Sequence, residues 1–62
     1  MLTVKLNTEN DAFGDGNGGA EIARILRRLA DAIEDGSSGP GTLNDANGNR
    51  VGSWTLSIDA QA

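Results

Sequence analysis

One run decides what this chain can fold into. Residues 20–35, AEIARILRRLADAIED, carry their large apolar side chains at Ile22, Ile25, Leu26, Leu29 and Ile33. The offsets i, i+3, i+4, i+7 and i+11 draw one stripe along a helix of 3.6 residues per turn. A stripe of that kind needs a surface to pack on, and the rest of the 62 residues supplies one by alternation. Leu2, Val4 and Leu6 alternate with Thr3, Lys5 and Asn7, which predicts a half-buried strand over 2–7. Near the other end Trp54, Leu56 and Ile58 alternate with Ser53, Thr55 and Ser57. Val51 falls on the wrong parity for that apolar face. A bulge near Gly52 restores it, because one extra residue switches the alternation and glycine is common at bulges.

The connections are written in Gly, Asn and Asp. Residues 8–19, TENDAFGDGNGG, form a Gly-rich loop whose large apolar residue, Phe13, is expected to fold back over the edge of the core. A cap at Gly18 starts the helix over 20–35 and sets Glu21 at N3, where its charge suits the helix dipole. Gly36 suits the position after the helix C-cap, and Pro40 lies beyond the stop, so residues 36–41 read as a flexible crossover. Asn47-Gly48 marks a hairpin over 42–58. A two-residue turn would pair Asp45 with Arg50. A three-residue turn with Gly48 left-handed would pair Leu43 with Val51, and is preferred because it sets two apolar side chains opposite each other. Residues 59–62 read as a frayed tail. The fold expected for 1–62 is α+β, a single β-α-β-β mini-domain. One helix packs on a three-stranded antiparallel sheet, with the last strand central because it is the longest and most apolar. The expected core is Leu2, Val4, Leu6, Phe13, Ile22, Ile25, Leu26, Leu29, Ile33, Leu43, Val51, Trp54, Leu56 and Ile58. The other sheet face, with Thr3, Lys5, Asn7, Asn44, Ser53, Thr55 and Ser57, has no element left to cover it.

Composition narrows function mainly by exclusion. Nine acidic residues against five basic give a net charge of −4, unsuited to direct contact with nucleic-acid phosphates but open to a basic protein partner. With no Cys and no His, disulfides and the common zinc ligand sets are excluded. No apolar run reaches the ~20 residues of a membrane span, and the N-terminus lacks a signal-peptide pattern, so a cytoplasmic location is expected. A core this thin makes a homodimer compatible with the chain. Gly14, Gly16 and Gly19 match G-x-G-x-x-G in letters, but a loop separates them from the first strand and no parallel βαβ unit follows. Asp15-x-Asn17 and Asp45-x-Asn47-x-Asn49 look like calcium loops. In the second, Arg50 and Leu56 stand where an EF-hand needs Gly and Glu, so Asx turns are the simpler reading. No cofactor or metal is expected. The carboxylates fall in turns or on the helix surface, with nothing to perturb their pKa values, and no enzyme is expected. The remaining candidates are protein-contact residues. Arg24, Arg27 and Arg28 form a basic ridge on the solvent side of the helix, in reach of weak pairs with Glu21 (i, i+3) and Asp31 (i, i+4). Asp31, Glu34 and Asp35 crowd the helix C-terminal end, where acids oppose the dipole.

Asn10-Asp11-Ala12-Phe13, then EIARILRRLADAIEDG, then LNDANGNRVGSW resemble a group of very small proteins encoded by phages and prophages, whose members look like "DNAAF…E.ARILR.LAD.IE.G…L.D.NGN.VG.W". The likeness covers most of residues 10–54. This chain departs from it in GDGNGG, which is richer in glycine than the acidic turn of the group. The resemblance implies a phage or mobile-element origin and brings no catalytic residues. By size, charge and fold class it is similar to anti-CRISPR proteins. The function this implies is stoichiometric binding of a host protein or protein complex in the host cytoplasm, as an inhibitor of host defence. The alternative is a phage accessory or structural/assembly module working as a homo-oligomer.

Overall fold

The computed structural model describes residues 1–58; the expectation of a frayed tail over 59–62 lies outside them. Chain order is β1 (Leu2–Leu6), a 3-10 turn (Asp11–Phe13), α1 (Gly18–Glu34), β2 (Gly41–Asn44) and β3 (Arg50–Leu56). The sheet order is β1-β3-β2, with both neighbours antiparallel to the central β3. The expected α+β architecture, with the last strand in the centre, is the one observed. Element ends differ by a residue or two from the sequence reading, most at the helix, which begins at Gly18 rather than Ala20. Asn17 occupies the N-cap without a side-chain cap bond, and Glu21 therefore lies one position past N3. Two glycines in succession leave the helix start without a side-chain signal. The C-terminal end follows the sequence reading. Gly36 is left-handed (φ 101°), its N–H donates to Ile33 O, and Ser37 N–H donates to Ala32 O, a Schellman closure.

Against β1, Val4 lies opposite Trp54 and Leu6 opposite Gly52. Against β2, Leu43 lies opposite Gly52 and Asn44 opposite Arg50, so the register skips Val51. That is the expected bulge. It turns Val51 to the same side as Trp54, and both are buried. Gly52 is required there, because a Cβ would collide with the carbonyl of Lys5. The three-residue turn is also present. Gly48 is left-handed (φ 84°), its N–H donates to Asp45 O at 3.0 Å, and Asp45 N–H donates to Asn49 O at 2.9 Å. The expected pairing of Leu43 with Val51 is corrected by the bulge, which leaves Gly52 facing Leu43.

The core consists of Phe13, Ile25, Leu29, Leu43, Val51 and Trp54, with Val4, Leu6, Ile22, Ile33 and Leu56 packed around it. Three expected core residues are on the surface: Leu2 is 48% exposed, Leu26 43% and Ile58 74%. The helix lies closest to β2 and to the 3-10 turn, which leaves the β1 side of the sheet thinly covered. Ile58 falls beyond the end of β3. The opposite sheet face is open, with Thr3, Lys5, Asn44 and Thr55 exposed.

Candidate functional site

The polar chemistry of the molecule gathers where the start of α1 meets the hairpin turn. Glu21 and Asp45, expected on the surface, are buried, with 8% and 4% of their area exposed. One oxygen of Asp45, Oδ1, accepts the N–H groups of Asn47 and Asn49, each at 2.9 Å. Its Oδ2 accepts Nδ2 of Asn10 at 2.6 Å and of Asn49 at 3.4 Å. Asn10 also accepts Ala12 N–H at 2.9 Å, capping the 3-10 turn that buries Phe13. Asp45 thus closes its own turn and holds the loop after β1 against it. The stretch that looked like a calcium loop is an Asx turn.

Glu21 does the same from the helix. Its Oε1 accepts Arg24 Nε and its Oε2 accepts Arg24 Nη2, each at 2.8 Å, a bidentate fork. Oε2 also accepts Ala46 N–H at 2.7 Å, and Arg24 reaches on to the Asn44 carbonyl at 3.3 Å. The hydrogen bond from Arg24 holds the Glu21 carboxyl below its ordinary value; burial opposes this, and the Ala46 N–H adds to it. The Arg24 guanidinium is correspondingly raised, chiefly by its bond to Glu21. At Asp45 burial alone would push the carboxyl up. Donors from Asn49, Asn10 and Asn47 together outweigh it, and the net direction is down.

These contacts divide the six candidate residues. Arg24 is half-buried and belongs to the lock between helix and hairpin, which corrects its placement on a free basic ridge. Arg27, Arg28, Asp31, Glu34 and Asp35 are exposed. The ion pair among the described residues is Arg24–Glu21; the spacing of Arg27 and Asp31 does not produce a second. At 100° per residue, Arg28, Asp31 and Asp35 share the flank of α1 that carries Arg24, while Arg27 and Glu34 point away from the core. On the Arg24 flank a groove of about 450 Å³ runs between α1 and β2, edged by Arg24, Arg28, Thr42 and Asn44, with Ile25, Leu29, Leu43 and Trp54 beneath. Arg28 and the neighbouring acids give this rim charges of both signs, suited to a complementary protein surface.

Spacing alone gave Glu21 its Arg24 partner but missed its burial against the Ala46 N–H, and it missed Asn10 and Asp45 altogether. No helix of the described residues is long and apolar enough to cross a membrane. Compared with protein families, curated proteins and solved structures, the chain matches none.

Proposed function

We propose that this chain acts by stoichiometric protein binding, as a phage or mobile-element inhibitor of a host defence complex of the anti-CRISPR type, in the host cytoplasm. The observation that carries the reading is the division of charge on α1. Arg24 and Glu21 are absorbed by the fold, while Arg27, Arg28, Asp31, Glu34 and Asp35 stand exposed on a helix whose own stability does not ask for three acids at its C-terminal end. Charged groups arranged on a rigid helix steer and select a partner of complementary charge. The resemblance to small phage-encoded proteins supplies the biological setting, and the residues that carry it include Asn10, Phe13, Glu21, Arg24 and Asp45, which hold this helix in place.

The test expresses the chain in bacteria carrying an active defence system and measures phage plating beside affinity capture of the defence complex. The wild-type chain is expected to restore plating and co-purify in fixed ratio with one complex. Asp31→Asn, Glu34→Gln and Asp35→Asn combined are expected to abolish both while leaving the fold intact. Unchanged phage survival with no stable host partner would refute the function. Full activity of the triple variant would refute the surface.

A further inference from the structure

We propose that β1 is a self-pairing edge. Two copies of this chain join β1 to β1 across a two-fold axis at Val4, making one six-stranded sheet with both helices on the same face. This is independent of the partner surface above. The first observation is the direction of the β1 backbone. Ser57 N–H donates to Met1 O at 2.9 Å, the Met1 amine donates back to Ser57 O, and Asn7 N–H donates to Val51 O at 2.7 Å. Bonded pairs alternate along an antiparallel ladder. Residues 1, 3, 5 and 7 therefore turn their backbone groups toward β3, and Leu2, Val4 and Leu6 turn theirs outward. Among the described residues no hydrogen bond reaches those outward groups. The other edge is blunted: β2 follows Pro40, its Asn44 carbonyl receives Arg24, and its register with β3 is broken by the bulge. β1 has neither proline nor bulge along Leu2–Leu6, and its one charge, Lys5, lies on the open sheet face.

The second observation is register. With Val4 opposite Val4 of the second copy, Leu2 falls opposite Leu6, and all six outward groups of each strand pair at once, giving six bonds. Shifting by two residues leaves four, and in one direction that shift sets Lys5 directly against Lys5. The Val4-centred register sets Lys5 opposite Thr3, so no like charges face each other across the seam. Pairing of this kind requires nothing but the LTVKL strand itself.

The third observation is the flank of α1 above this edge. Arg24 lies 100° to one side of Ile25, toward β2; Leu26 lies 100° to the other, toward β1. Beyond Ile22 and Ile33, which pack against the core, the helix surface continues through Leu26, Ala30 and Ala23 without a charge, although 23% of the chain is charged. Leu26 and Leu2 are 43% and 48% exposed. A second copy would bring an identical flank to the same seam. Six bonds at roughly one per 100–200 Å² correspond to about 600–1,200 Å², the size range of weak, reversible association.

Sedimentation velocity of the full chain from about 2 to 200 µM decides. A concentration-dependent monomer–dimer equilibrium is expected, strengthened by salt because each copy carries −4. Val4→Pro removes an N–H that β3 does not use, and should weaken the dimer at least tenfold while far-UV circular dichroism shows the monomer folded. Val4→Cys should form an intermolecular disulfide under mild oxidation, because a bonded pair sets Cα atoms ~5.5 Å apart. Thr42→Cys, on the other edge, serves as control and should not. A wild-type chain that stays monomeric at 200 µM overturns the proposal. So does a dimer that Val4→Cys crosslinks no faster than Thr42→Cys.

Discussion

Leu26 and Leu29 offer a controlled comparison, since both are leucines in the middle of α1, one turn apart. Leu29 is 5% exposed and Leu26 43%. Leu29→Ala removes three buried carbons, about 2.4 kcal/mol at ~0.8 kcal/mol each. The cavity left among Ile25, Leu43 and Trp54 raises this to about 3 kcal/mol. For Leu26, with a little over half the side chain covered and no enclosed space left behind, the same arithmetic gives about 1.4 kcal/mol. The helix preference for alanine returns a few tenths, so about 1 kcal/mol remains. Chains of this length are stable by roughly 3–9 kcal/mol, so Leu29→Ala approaches the limit of folding and Leu26→Ala does not. Trp54, the only tryptophan and 6% exposed, reports unfolding by its fluorescence. In urea at about 2 µM chain, with a slope near 1 kcal/mol per molar, the midpoints should fall by about 3 M and 1 M. Equal losses at this concentration, within ~0.5 kcal/mol, would refute the assignment of helix faces. Raising the concentration to about 200 µM should stabilise the wild type and leave Leu26→Ala behind, because a dimer that uses Leu26 stabilises by mass action.

Acid should loosen the helix from the hairpin before anything else. Glu21 and Asp45 are held below their ordinary values of 4.5 and 3.8. The native state then binds fewer protons than the unfolded chain, and stability rises with pH across that range. The contribution is fully present above about pH 5 and is lost as pH falls through the lowered folded values. Urea midpoints from pH 6.5 to 2.5 should show this, and Glu21→Gln with Asp45→Asn should flatten the profile. Gly52→Ala should prevent folding or part β1 from β3, since its Cβ has no room beside the Lys5 carbonyl. Gly48→Ala, with open space around it but φ at 84°, should cost about 1–2 kcal/mol. Thermal melts followed by circular dichroism separate the two. Asp45→Ala should speed amide exchange at Asn47 and Asn49 well before it affects the centre of α1, as read by NMR.

What was legible in the chain is what repeats locally. The stripe from Ile22 to Ile33 and the alternations around Val4 and Trp54 are periods, and they survive without any knowledge of the fold. The parity break at Val51 located the bulge for the same reason, and Gly48 set the turn. The polar lock was not legible, because its bonds join residues far apart: Glu21 to Ala46 and Asn10 to Asp45. A lone carboxylate is expected in water; only the assembled fold shows that each has enough donors to stay ionised where it is buried. The error at Leu26 has a different origin. A helical stripe fixes which side chains share a face, but not how far the surface beneath extends. Here that surface ends near β1, and the outermost residue of the stripe overhangs it.

Seen around its axis, α1 has three sectors that each meet a different neighbour, and a fourth, with Arg27 and Glu34, that faces water. Ile25 and Leu29 meet the core. Glu21 and Arg24 meet the hairpin turn, and Asp31 and Asp35 continue that side toward the helix end. Leu26, Ala23 and Ala30 lie on the side of β1. A helix on an isolated one-helix domain gains solubility by spreading charge over every sector outside the core. Here the charges stop at the sector above β1, although Leu26 and Ala30 in it are exposed. The same edge of the molecule leaves three residues of backbone unpaired. Neither feature helps a solitary domain, and each suits a second copy of the other. The two surfaces are therefore separable: charge variants at Asp31, Glu34 and Asp35 should leave self-association unchanged, and Val4→Pro should leave the charged surface intact.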